Sequence, residues 1–100
     1  MLDEPLIPVD VEALLRTILR QGEFRFSLHA IEEMARDDLN TVDCVNVLRA
    51  GVAGPGERDS GSWRYPVRTS RITVVVAFRS EIVFVVVTAW RHQRRLGSGQ

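Results

Sequence analysis

Between Trp63 and Arg91 the chain runs through three segments of high β-branched content, and this stretch restricts the possible folds more than any other. The segments are Trp63-Arg64-Tyr65-Pro66-Val67-Arg68, then Ile72 to Phe78, then Ile82 to Trp90. The second and third are Val/Ile-rich without alternation, which predicts strands covered, or nearly so, on both faces. The first alternates: Trp63, Tyr65 and Val67 fall on one face and Arg64 and Arg68 on the other, the period of a strand with one wet face. Pro66 has no amide to donate, so this strand is expected at a sheet edge, or with its proline where no partner calls for an amide. The product is an antiparallel meander that shows arginines on one side.

What precedes the meander reads as helices that cover it. Residues 1–8 contain Pro5 and Pro8 and are expected to be an extended lead-in. Asp10 then suits an N-cap, and Val11, Leu14, Leu15, Ile18 and Leu19 repeat with helical spacing up to Gly22, with Glu12 and Arg16 four apart on the outer side. Glu23-Phe24-Arg25-Phe26 alternates like a short strand. Ser27 can cap a second helix with Leu28, Ile31, Met34 and Ala35 as its buried stripe. Asn40 can cap a third, carrying Val42, Val45 and Leu48, with Asp43 in its first turn and Gly51 at its end. Cys44 beside that stripe reads as a core thiol. Residues 52–62, rich in Gly, Pro and Ser, read as a flexible loop long enough to be a lid or a partner-binding segment. The predicted fold is α+β, in the order helix, strand, helix, helix, three strands. Its N-terminal helices, 10–21 and 28–50, pack on one side of a largely antiparallel four-stranded sheet.

One hundred residues, 45% of them hydrophobic, suffice for a single domain with a core of its own. The single cysteine excludes an internal disulfide, and no His/Cys cluster has zinc-ligand spacing, so no metal and no cofactor enter this reading. A reducing cytosol is the expected compartment. The acidic start lacks a hydrophobic run of signal-peptide length, and no apolar stretch approaches the roughly 20 residues that span a bilayer.

A net charge of zero conceals a division along the chain. Residues 1–59 hold twelve carboxylates and six arginines, whereas residues 60–100 hold seven arginines and one carboxylate, Glu81. Such a dipole can steer an anionic ligand to the basic side or drive self-association. Every basic residue apart from the histidines is an arginine, whose fork suits bidentate phosphate contacts. The end of the chain, 93–100, with Arg94 and Arg95, is expected to be a basic, poorly ordered tail.

The segment from Gly22-Glu23-Phe24-Arg25 through Asp38-Leu39 to Cys44-Val45-Asn46-Val47-Leu48 resembles the N-terminal half of the MqsR-like toxins, which have a RelE-type fold. His29-Ala30, Met34 and the closing Val86-Val87-Thr88-Ala89-Trp90 are also similar to a related domain-of-unknown-function family with the pattern HAxxRMxxRGI and strands ending in VVT. The resemblance covers about residues 10–91. It implies the toxin of a bacterial type II toxin–antitoxin pair, an mRNA endoribonuclease that needs no metal and is neutralised by a zinc-binding antitoxin. Residue by residue, Trp63-Arg64 matches a Trp-Gln step of the toxins, which sets Arg64 at a functional polar position. The family's functional lysine has no counterpart, its tyrosine falls near Ile72 or Thr73, and the two arginines of HAxxRMxxR fall on Glu33 and Asp37.

Independently of any family, metal-free RNA cleavage needs a base for the 2′-OH, an acid for the leaving oxygen and cations against the developing charge. Arg64 and Arg68, about 13 Å apart along one strand face, can clamp phosphates; alternatively they are solvated charges guarding an edge. Arg91, at the end of the last strand, can join them, and Arg71 extends the RNA-binding set. His29, in the first turn of the second helix, can accept a proton or simply pair with Glu32 or Glu33. His92 reads as incidental, in the fraying tail, and Trp63 and Tyr65 as packing. RNA, on or off the ribosome, and the antitoxin are the expected partners. Two other classes stay open: an RNA-binding domain without cleavage, and a protein-interaction module using the acidic helices and the 52–62 segment.

Overall fold

The meander forms the centre of the sheet, and its neighbours account for most of what differs from expectation. The computed structural model describes residues 2–92. The basic tail expected at 93–100, with Arg94 and Arg95, lies outside the described residues. The chain runs α1 (Pro8–Gln21), β1 (Glu23–Phe26), α2 (Leu28–Arg36), α3 (Thr41–Ala50), β2 (Val52–Ala53), β3 (Glu57–Asp59), β4 (Ser62–Arg68), β5 (Ile72–Ser80) and β6 (Val83–Arg91). The class is α+β, but the sheet has six strands rather than four, in the order β1-β6-β5-β4-β2, with β3 also on β4. It is mixed: β1 runs parallel to β6, with Phe24 opposite Phe84, while the other pairs are antiparallel.

Two expectations fall together here. The segment 52–62 is not a loop, because Val52–Ala53 and Glu57–Asp59 both pair with β4. Consequently β4 is not an edge strand. Pro66 is nevertheless accommodated. Its carbonyl accepts from Gly54 N at 2.8 Å on the outer side, so its missing amide points there too, into the gap between β2 and β3. Glu12, expected on the outer surface of α1, instead accepts from Ala53 N at 2.9 Å and pins β2.

One face of the sheet carries the core. Tyr65 and Val67 of β4, Val74, Val76 and Phe78 of β5, and Phe84, Val86 and Ala89 of β6 are all buried against α1, α2 and α3. Each large side chain removed from water contributes about 1.5–3 kcal/mol. Phe84 and Val86 precede Ala89 on this face by an odd step because β6 bulges: Val75 lies opposite Thr88 and Val76 opposite Val86, leaving Val87 as the extra residue. Beyond the bulge the alternation is inverted, so Thr88 and Trp90 turn to the opposite face.

The helices depart from their sequence reading at their ends and in their phase. α1 starts at Pro8 with Ile7 at the N-cap, not at Asp10, because proline lacks the amide that the first turn leaves unused. Ser27 caps α2, its hydroxyl accepting from Ala30 N at 3.0 Å. Asn40 and Asp43 form a capping box on α3. The buried residues of α2 are Ala30 and Met34; Leu28, Ile31 and Ala35 are exposed, since α2 follows β1 beside β6 and turns only a narrow side inward. In α3 the buried set is Cys44, Val47 and Leu48, and Val42 is exposed. Burial, with Asp43 nearby, pushes the Cys44 thiol up to about 11, which makes it an inert core residue.

The lead-in at 2–7 is non-helical and docked. Leu2 and Leu6 pack on the core, Leu6 N donates to the buried Tyr65 hydroxyl at 3.1 Å, and that hydroxyl donates to Glu4 Oε2 at 2.8 Å. Burial first, and the Glu4 carboxylate beside it, hold the phenol up at about 12. No helix among the described residues is long and apolar enough to cross a membrane.

Candidate functional site

The face turned away from the helices carries the alternate side chains of β4, β5 and β6. A groove of about 330 Å³ runs over it, lined by residues of the strands themselves. Arg64 and Arg68 of β4 lie in it, with Thr73 of β5, Thr88 and Trp90 of β6, and Glu57 and Asp59 of β3 on the rim. Arg68, Thr73 and Trp90 form one row across three strands, because Arg68 is opposite Thr73 and Thr73 opposite Trp90. Trp90 is 39% exposed there, the inverted phase beyond Val87 having brought an indole onto a polar face.

Arg64 is only partly engaged. Its Nη1 donates to Asp59 Oδ2 at 3.1 Å across the β3–β4 hairpin, and its Nε is buried without a hydrogen-bond partner among the described residues. The pair is open to solvent, 35% exposed on the arginine and 59% on the aspartate, so it is worth no more than about 1 kcal/mol. Glu57 is in cross-strand register with Arg64. Arg68 is exposed and makes no side-chain hydrogen bond among the described residues. On the other face of β4, Arg58 stands over the Trp63 ring at 5.7 Å, and Trp63 and Tyr65 serve packing as expected.

A second, larger cleft of about 790 Å³ lies where the β4–β5 turn, the end of β6 and the end of α2 meet. Arg71 is exposed at the turn. Arg91 is committed to α2: its backbone N donates to Asp37 Oδ2 at 2.7 Å, Nε to the Asp37 carbonyl at 3.1 Å and Nη2 to the Asp38 carbonyl at 3.0 Å. Asp37 caps α2 and Asp38 follows it, so the guanidinium sits just past the C-terminal end of the helix, where the dipole favours a cation. Arg36 pairs with Glu33 at the same end of α2.

His92 is not incidental. Its Nδ1 is 3.2 Å from the Ser70 carbonyl, which can only accept, so Nδ1 carries a proton. In the neutral ring Nε2 is then the acceptor, and the Thr73 hydroxyl donates to it at 2.7 Å. Thr73 thus ties the groove to the second cleft. His29 lines neither cleft and is exposed in the first turn of α2, with no hydrogen bond to Glu32 or Glu33 among the described residues.

Of the expected site residues, Arg64 and Arg68 are therefore brought together, Arg71 and Arg91 meet in a neighbouring cleft, and His29 stands apart. Trp90, Thr73 and Glu57 were not anticipated. The polar alternation of Arg64 and Arg68 signals the face, but the indole is reached only through the bulge. Among the described residues no group of three or more His, Cys, Asp or Glu side chains is placed to hold a metal. No family model, curated protein or solved structure matches this chain.

Proposed function

We propose that this chain is the toxin of a bacterial toxin–antitoxin pair, with a RelE/MqsR-type fold, and that it cleaves mRNA laid across the strand-lined groove. The observation that carries this reading is the groove itself, where Arg68, exposed and without a side-chain hydrogen bond among the described residues, and Arg64, held by a solvent-open pair with Asp59, share a surface with a half-exposed indole. Arginine forks hold phosphates, and an aromatic face stacks an unpaired base for about 1–3 kcal/mol; together they suit single-stranded RNA. In the reaction the 2′-oxygen forms a bond to the adjacent phosphorus as the bond from phosphorus to the 5′-oxygen breaks. Glu57, opposite Arg64, takes the 2′ proton, water in the open groove protonates the leaving oxygen, and Arg64 and Arg68 stabilise the charge on the phosphoryl oxygens. The partner that goes with this reading is a zinc-binding antitoxin, and a neighbouring reading frame with paired CxxC motifs would support it.

Fluorescence anisotropy with a short unstructured RNA tests the binding. For single strands the logarithm of affinity falls with that of salt by about 0.7 per phosphate contact, so Arg64→Ala and Arg68→Ala should each flatten the slope by about that amount. Absence of wild-type binding at low salt overturns the reading. Primer extension on a defined mRNA, with and without ribosomes and with EDTA present, tests the cleavage. Binding without cleavage would leave a non-catalytic RNA-binding module.

A further inference from the structure

The sheet ends at β1, and its outer edge is unpaired among the described residues. The amides of Glu23 and Ser27 donate to carbonyls of Ile82 and Val86, so the two-residue period turns the N–H and C=O groups of Phe24 and Phe26 outward. An exposed edge of this kind is a template for another strand unless it is protected. Next to it, α2 leaves Leu28 74% and Ile31 43% exposed, and Phe24 of the edge strand itself is 37% exposed. Those helix residues hold the spacing of a buried stripe, yet nothing in the described chain covers them.

We infer that β1 pairs antiparallel with β1 of a second copy about a two-fold axis at Phe24, joining two sheets into one. The charges of the strand select this partner and this register. With Phe24 opposite its own counterpart, the two copies exchange their outward N–H and C=O groups as a hydrogen-bonded pair. The same register puts Glu23 opposite the second copy's Arg25, and Arg25 opposite its Glu23. Both lie on the sheet face away from the core, so the strand is self-complementary. A register shifted by one residue would instead set Arg25 against Phe24 and lose both ion pairs. Four residues make a short seam, so the dimer is concentration-dependent, and Phe24, Leu28 and Ile31 supply the apolar part of the contact. This pairing does not depend on what binds the groove, and the two readings fail separately.

Sedimentation equilibrium of the full chain from about 1 µM to about 1 mM covers the range of such contacts. The wild type should pass from 11.3 kDa to twice that mass. Arg25→Glu and Glu23→Arg, each setting like charges opposite one another twice, should each raise the midpoint concentration by about tenfold or more. The double variant Glu23→Arg/Arg25→Glu restores both pairs in reversed sense and should return the midpoint to the wild-type value. Circular dichroism of all four confirms the fold, since these side chains are exposed and their exchange opens no cavity. A wild type that stays monomeric across the range, including one whose edge takes a strand from a different protein, overturns the inference. So does a dimer that neither single reversal weakens, or one that the double variant fails to restore.

Discussion

The groove and the neighbouring cleft hold the same kind of side chain in opposite circumstances. In the cleft Arg91 spends Nε and Nη2 on the carbonyls of Asp37 and Asp38 just past α2, whereas in the groove Arg64 keeps a buried Nε with no acceptor among the described residues and Arg68 stands in solvent. In the cleft Arg36, Arg71 and Arg91 stand beside Asp37 and Asp38, and in the groove Arg64 and Arg68 face Glu57 and Asp59. The difference is what each guanidinium has left to give. An arginine already closing a helix serves the fold, and one with unspent donors in a groove can serve a ligand.

The sharpest way to break this comparison is to remove one cation from each region. Arg64→Ala should lower the cleavage rate by about 10²–10³, as loss of one transition-state donor does, while changing stability by no more than about 1 kcal/mol, the most its pair with Asp59 is worth. Single-turnover cleavage beside a urea melt reads both numbers, and equal cleavage by wild type and variant would remove Arg64 from the mechanism. Arg91→Ala should show the converse. It loses two side-chain bonds to the carbonyls of Asp37 and Asp38 and the favourable contact with the helix end, at a cost of about 1–2 kcal/mol, with the salt slope of RNA binding unchanged. A flattened slope without loss of stability would move Arg91 into the binding set.

Smaller effects sharpen the boundary between the two regions. Thr73→Val keeps the shape of a residue 4% exposed but removes the hydroxyl that donates to His92, and should cost about 1 kcal/mol in a urea melt. Because His92 then loses a partner, its ring resonances in NMR should shift, whereas a silent spectrum would dissociate groove from cleft. Asp59→Asn should be the mildest. An ion pair this exposed contributes about 0.2–1 kcal/mol, and releasing Arg64 from it should tighten RNA binding slightly. Weaker binding would mean that Asp59 positions the guanidinium rather than competing for it.

The candidate site was legible in part. Arg64 and Arg68 stand out because alternation with Trp63, Tyr65 and Val67 is written into six consecutive residues. Trp90 does not, because from Phe84 and Val86 a regular strand would carry Thr88 and Trp90 to the core. The extra residue at Val87 reverses that phase, and bulges are decided by how two neighbouring strands and the core meet. His29 attracts notice as a lone titratable group in a first helical turn, but which direction that turn faces is set by the docking of α2 beside β6.

By itself the sequence determined what depends on a few neighbouring residues: the caps at Ser27 and Asn40 with Asp43, the meander, and the separation of acidic from basic halves. These follow from side chains reaching backbone amides three residues away and from the period of a strand, so no distant segment is needed to define them. The tertiary structure alone decided that β1 lies parallel to β6, that Val52–Ala53 and Glu57–Asp59 cover β4, that α2 leaves Leu28 and Ile31 outside, and that Arg91 closes α2. The physical reason is common to all four. A strand edge, an apolar stripe and a guanidinium each have several acceptable partners, and which one is met depends on the segments that long-range packing brings within a few ångströms.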